Sequence, residues 1–316
     1  MTTGAPPTEM IEPFEWTDRK EIAPPHPTGE ELSRLIRRGF GLSRYRPRPL
    51  PDAAMQMLRM TGQQHSDFRQ IAHVVERDLG LTAEVLGVVN TPFYASGSPI
   101  EDIEQAVNRL GLDALREVAL QAALFMAVPP REAYALAFDA AQNHAVATSH
   151  LARRVNELLG VENPNAFFGA LFHDIGFSAS LLMVCDVYGE QAPPVDSLWR
   201  ELDRIHPQVG WRIAREWRLP DPLPELVKTH RDFGTERPQL SQTAATIVVA
   251  DFLATSCGAP LDPAAAGDPG VIPLFDVPDS AQVEAAKQHL GLDEDTWGEL
   301  LLGAPEIVDT FVGAAL

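Results

Sequence analysis

A carboxylate stands inside one of the most apolar stretches of this chain. In TAATIVVADFLATSC, helical spacing puts Ile247, Val248 and Ala254 on the side of Asp251, so its side chain is expected to point into a core. A buried carboxylate without a cation or hydrogen-bond donors is costly. The pattern recurs along the chain. His144 shares a face with Ala140, Leu151 and Val155 in a helical run from about 134 to 159. His206 lies one turn before Val209, Gly210 and Ile213, and His230 lies one turn after Leu226 and Val227. Polar residues of ligand type thus face inward from separate helices. One shared metal centre accounts for them together; the other reading makes each a separately satisfied polar core residue.

From Asp52 onward the apolar spacing is helical almost throughout, which predicts helices at about 52–61, 67–78, 81–90, 101–110 and 112–127. β-Branched runs such as Ile247 to Val249 sit inside helical patterns, so the expected fold is all-α with many helices. Ser66-Asp67, Asn90-Thr91-Pro92, Gly97-Ser98-Pro99 and Val128-Pro129-Pro130 read as the turns between them. Ahead of this body, residues 1–27 are rich in Pro and polar residues and read as a flexible leader. Thr28 then caps a short Arg-rich helix, GEELSRLIRRGFG. A Pro/Gly-rich connection from 258 to 280 precedes a short acidic helical tail.

A chain of 316 residues with 45% hydrophobic content can build one large core or two smaller ones. No apolar run approaches the roughly 18 to 20 residues that cross a bilayer. The N-terminus lacks the basic flank and apolar segment of a signal peptide, so a cytoplasmic location is expected. Cys185 and Cys257 lie in apolar helical surroundings and are expected to be reduced. The net charge of −19 argues against nonspecific nucleic-acid binding, because tracking phosphates needs a surplus of Lys and Arg. From Cys257 onward, eleven acidic residues face the single Lys287. Arg34, Arg37, Arg38, Arg44, Arg46 and Arg48 cluster near the start, as a solvated face or as a contact for an acidic partner.

A series of segments in a fixed order resembles the HDOD domain family. It comprises the spacing from Asp78 to Asn90, the Asn-x-x-Phe-Tyr turn ending at Tyr94, and the Ile-x-x-Ala-x-x-x-Leu-Gly segment from Ile103 to Gly111. ALFHDIG, HPQVGWRIAREWRLPDPLPELVKTH and ATIVVADFLA complete it, and the likeness covers about residues 45–257. It implies a helical front subdomain over about 45–130 packed on an HD-like helical bundle over about 131–257. Residues 1–44 then form the leader and 258–316 the connection and tail. Such domains occur in bacterial signalling proteins, and many of them look like HD phosphohydrolases that have lost ligands. Here the ligand positions are filled. By similarity, His144, His173, Asp174 and Asp251 would hold one metal, and Asp174 would bridge to a second held by His206 and His230.

Such a site implies phosphoester hydrolysis, with Mn, Fe or Zn suiting mixed imidazole and carboxylate ligands. The substrate side departs from the pattern. HD-GYP phosphodiesterases carry a phosphate-engaging Lys where this chain has Phe177, a second His where it has Arg231, and an acidic ligand where it has Ala140. Their Gly-Tyr-Pro signature is absent after His230. The favoured function is a regulatory signalling module with an HD-type site of one or two divalent ions, little or no catalysis, and a protein partner in its pathway. The alternative is a metal-dependent phosphohydrolase acting on a nucleotide or cyclic dinucleotide, with Arg231 or Lys228 as the phosphate contact and Arg212 as a further candidate. Asn90 reads as a structural cap with Phe93 and Tyr94 packed under it, and Trp211 and Trp217 as core and edge aromatics.

Overall fold

The computed structural model describes residues 29–41, 49–60, 68–90, 98–128, 131–233, 238–261 and 280–312. The leader before residue 29, the Thr28 cap, the turn containing Phe93 and Tyr94, and residues 262–279 of the Pro/Gly-rich connection lie outside these ranges. Among the described residues the architecture is entirely helical.

The front half consists of α2 (Asp52–Met60), α3 (Phe68–Glu76), α4 (Leu79–Val89), α5 (Ile103–Leu110) and α6 (Leu112–Ala127), which pack on one another. α4 opens on Asp78, whose carboxylate accepts the Leu81 N–H at 3.1 Å, and it closes at Asn90. The Asn90 amide donates to the carbonyls of Leu86 and Ile100, each at 2.8 Å, and accepts the Ile100 N–H at 2.7 Å. It pins the chain ahead of α5, a structural role, but the cap of that next helix is Asp102, whose carboxylate accepts the Gln105 N–H at 2.7 Å, and not Asn90 as expected.

The second half is built from α7 (Ala135–Leu158), α8 (Pro164–Phe172), α9 (Ile175–Tyr188), α10 (Trp199–Glu216), α11 (Leu223–Thr229) and α12 (Pro238–Ser256). α7 packs on α8 and α12, α9 packs on α10, and α10 packs on α11. Asn163 caps α8 by accepting the Asn165 N–H, and Pro164 occupies the first turn, where no N–H is needed. α6 reaches α8, and both halves share one continuous apolar core.

The early part of the chain returns to the second half. α1 (Gly29–Gly41) buries Leu32, Leu35 and Ile36 and packs on α9 and α10. Its Ser33 hydroxyl donates to Glu201, while Arg34 and Arg37 face outward. At the other end, α13 (Ser280–Leu290) packs on α12, and α14 (Glu294–Val312) packs on α7 and α12. α14 spans 19 residues and buries Leu300, Ala304, Val308 and Phe311.

The expectation that no segment is long and apolar enough to cross a membrane needs correction. Pro164–Gln191 passes by length and composition, with a mean hydropathy of 1.5. His173-Asp174 interrupts the apolar run and hides its length in the sequence. The segment is α8 and α9 around a corner, and 94% of its most apolar window is buried inside the protein. That is the burial expected of core helices.

Candidate metal centre

His173 closes α8 and Asp174 opens α9, so the corner between two helices supplies two adjacent polar side chains. His144 comes from the middle of α7, His206 from α10, His230 from the residue that ends α11, and Asp251 from α12. The six side chains converge. No one of these residues is more than 4% exposed.

Close helix approach makes this convergence feasible. A Cβ on Gly176 would overlap the backbone carbonyl of His206 and the backbone nitrogen of Gly210, so only glycine lets α9 lie this near α10. Gly210 in turn leaves room for Val227 of α11. The same approach carries Asp174 to 3.3 Å from His206.

The Asp174 carboxylate divides the centre. Its Oδ2 lies 3.1 Å from His173 Nε2 and 3.6 Å from His144 Nε2, while Oδ1 lies 3.3 Å from His206 Nε2 and 3.9 Å from His230 Nε2. Asp251 Oδ1 sits 3.4 Å from His144 Nε2. Two triads result, His144 with His173 and Asp251, and Asp174 with His206 and His230; in each the donor atoms lie within 4.8 Å of one another.

Each imidazole presents Nε2 inward because its Nδ1 faces a carbonyl. The Nδ1 partners are Ala259 at 2.9 Å for His144, Ala170 at 2.6 Å for His173, Leu202 at 3.3 Å for His206, and Val227 at 2.9 Å for His230. A carbonyl only accepts, so Nδ1 carries the proton and Nε2 keeps a lone pair. Yet the Nε2 atoms of His144 and His173 are 3.3 Å apart, and those of His206 and His230 are 3.4 Å apart. Lone pairs would face each other beside two carboxylates, and neither Asp174 oxygen receives a well-formed hydrogen bond.

One proton relieves part of this conflict. Burial lowers the pKa of His173, but Asp174 beside it and Asp251 beyond outweigh burial and raise it to about 8. The three imidazoles His173, His206 and His230 in turn hold the Asp174 carboxyl well below the usual carboxylate range, against the opposing effect of burial. Burial brings His206 down to about 4 and His230 well below its ordinary value, leaving that pair neutral near pH 7. Burial also raises Asp251. Two neutral imidazoles aiming lone pairs at one point beside an ionised carboxylate form a donor set suited to a divalent cation such as Mn, Fe or Zn.

The two cations nominated as phosphate contacts are placed differently. Arg231 pairs with Asp203 at 3.0 Å, and its charge reaches His206, His230 and Asp251, so it flanks the centre. Lys228 instead stands over the ring of Trp211, 5.3 Å from its centroid, and Trp211 Nε1 donates to Glu225. Arg212 faces Glu216 at 4.0 Å. Two contributors were missed in the sequence: the Ala259 carbonyl and the Gly176–Gly210 approach. A glycine just past an apolar helix is a helix-end signal, and Gly258 offered it.

The HDOD domain family model matches residues 48–233. An HDOD domain protein of unknown function from Geobacter sulfurreducens is 23% identical, with a TM-score of 0.61 over 89% of this chain and 98% of the other. A protein from Shewanella amazonensis with the provisional name of metal-dependent phosphohydrolase is 16% identical, with a TM-score of 0.61 over 90% and 99%. A protein from Marinobacter aquaeolei, provisionally named for signal transduction, is 19% identical, with a TM-score of 0.59 over 94% and 68%. These likenesses show the fold. An uncharacterized protein of Treponema pallidum is 20% identical over 217 residues, which span 64% of this chain but 41% of that protein. With the family model matching more than half of its length, the chain belongs to the HDOD domain family.

Proposed function

We propose that this chain is a regulatory module of bacterial signal transduction, built on an HD-type metal centre and having little or no catalytic activity. His144, His173 and Asp251 would hold one divalent ion and His206 and His230 a second, with Asp174 between them. When bound, such ions supply Lewis acidity and rigidify the residues that hold them. The module acts by binding a protein partner in its pathway.

The setting of Phe177 is the observation that carries this reading. It stands where HD-GYP relatives carry a phosphate-engaging Lys, and it is 1% exposed and stacked on Trp199. A phosphate brought to the centre would find an apolar ring in place of that cation. The provisional naming of the Marinobacter aquaeolei neighbour for signal transduction agrees with the reading.

The alternative, a phosphohydrolase acting on a nucleotide or cyclic dinucleotide, has the two His/Asp triads and Arg231 in its favour. Arg231 would have to exchange Asp203 for a phosphate.

Metal analysis of protein purified without chelator or a metal-binding tag, joined to melting curves and turnover assays, separates the readings. The regulatory reading expects bound metal and a melting temperature raised by Mn or Zn. It also expects Asp174→Ala to abolish that rise. A melting curve indifferent to chelator and to added metal would favour a metal-free polar cluster. Turnover of a natural nucleotide at about 1 per second or faster, lost in His173→Ala, would establish the phosphohydrolase instead.

A further inference from the structure

Three of the four imidazoles are held by their own helices. The carbonyls that receive Nδ1 of His173, His206 and His230 lie three or four residues earlier in the same local turn. His144 differs, because its Nδ1 partner is the carbonyl of Ala259, 115 positions further along the chain. Its orientation therefore depends on tertiary docking.

The segment that supplies this carbonyl is shaped for the purpose. α12 ends as the Ala259 N–H reaches back to the Ala254 carbonyl at 2.9 Å, and Gly258 takes a φ of +105°. This termination turns the chain back over the helix. Ala259 and Leu261 are then buried, at 2% and 3% exposure, while Gly258 is exposed with nothing near its missing Cβ. α12 also carries Asp251, whose Oδ1 faces His144. One helix end thus supplies the orienting carbonyl, and the same helix supplies the neighbouring carboxylate.

We infer that Ala259 is a positioning residue for His144, and that docking of the strap Gly258–Leu261 controls the His144–His173–Asp251 half of the centre without controlling the His206–His230 half. The part concerning metal rests on the metal-centre reading above; the part concerning the imidazole does not. The strap leads towards α13 and α14, which pack on α12 and α7.

The test uses the full chain with Gly258→Val, which places a β-branched residue at positive φ, and Leu261→Ser, which loosens the strap through its buried side chain. Gly258→Asn, more tolerant of positive φ, serves as the conservative rescue. Imidazole nitrogen NMR on metal-free protein reads the tautomer directly. The inference expects His144 to be an Nδ1–H tautomer in the wild type and in Gly258→Asn, and a tautomer mixture in Gly258→Val and Leu261→Ser, with His206 and His230 unchanged. Titration with Mn or Zn should then show one of two equivalents weakened about 10- to 100-fold in those two variants, the range for loss of a partner that orients a ligand. An unchanged His144 tautomer in both loosening variants overturns the positioning role. Altered tautomers with no metal bound by the wild type would uphold that role and remove the metal-centre reading. Equal weakening of both equivalents, with His206 and His230 also disturbed, would overturn the selectivity.

Discussion

Phe177 lies stacked on Trp199, with ring centroids 4.6 Å apart and planes 14° from parallel. Both residues are 1% exposed, so the position where the resemblance to HD-GYP phosphodiesterases would call for a phosphate-engaging Lys is part of the α9–α10 core. Phe177→Lys should therefore fail to create an active phosphodiesterase. It would lose the stacked ring and draw an ammonium into apolar surroundings, destabilising the protein by about 3 kcal/mol or more. Urea melts and hydrolysis of an activated phosphodiester check this. A stable variant with raised turnover would show that the side chain reaches the centre.

Gly176→Ala should separate α9 from α10. The added methyl would meet the His206 carbonyl and the Gly210 nitrogen, both backbone atoms that a side-chain rotation cannot clear. A loss of roughly 2–3 kcal/mol is expected from overpacking. On the proposed metal-centre reading, metal affinity should fall with it, since Asp174 and His206 are carried by the two displaced helices. Gly87→Ala in α4 is the control, because nothing lies within 4 Å of its new methyl. That change should be neutral or slightly stabilising. Similar losses in both variants would count against the close-approach argument.

Glu117 sets a pH dependence in the front half. It donates no proton to Arg153, yet its carboxylate accepts from that guanidinium at 2.6 Å, and burial still raises its pKa from 4.5 to about 7. The folded protein thus holds a proton that the unfolded chain releases from about pH 4.5 upward. The associated stability is complete below 4.5 and is lost as pH rises through 7. Glu117→Gln, a permanent mimic of the neutral form, should gain on the wild type between pH 5 and pH 8, by about 1–3 kcal/mol at the upper end. Paired urea melts across that range decide it. A constant difference would place the carboxyl's titration elsewhere.

What could be read from the sequence follows from what periodicity encodes. It fixes which side of a helix is apolar, so the inward aim of Asp251 among Ile247, Val248 and Ala254 was legible before any packing was known. The helices from Asp52 to Ala127 were legible to within about two residues for the same reason. Tertiary neighbours are a different kind of information. The approach of Gly176 to His206, the depth of Phe177 against Trp199 and the pairing of Arg231 with Asp203 each join separate segments of the chain. Ala259 contributes a main-chain oxygen, which every residue possesses and no residue type advertises. The apolar stretch from Pro164 escaped notice because its polar interruption, His173-Asp174, is the corner that builds the centre.

The C-terminal helices should leave the bundle more readily in acid. His150 of α7 is fully enclosed, with its ring face to face with Phe311 of α14 at a centroid distance of 3.3 Å and Phe167 of α8 edge-on at 5.3 Å. Neither ring nitrogen has a hydrogen-bond partner. Burial holds its pKa well below 6.5, and the charge of Arg153 lowers it further. The docked state therefore requires neutral His150, while an undocked or unfolded chain takes up a proton below about pH 6.5. Docking is undiminished above that pH and weakens as pH falls from it. The other charged contacts on this seam are those of Arg154 with Glu299 at 2.5 Å and with Glu157 at 3.4 Å. Hydrogen exchange of the α14 amides should accelerate between pH 7 and pH 5 beyond the intrinsic change in exchange rate. Glu117 and His173 titrate near the same window, so the decisive comparison is with His150→Phe, which keeps an aromatic ring but cannot take a proton. The variant should lose the acid-induced opening of α14 and retain the other pH effects. Equal acceleration in the variant and the wild type would show that His150 is a passive part of the interface.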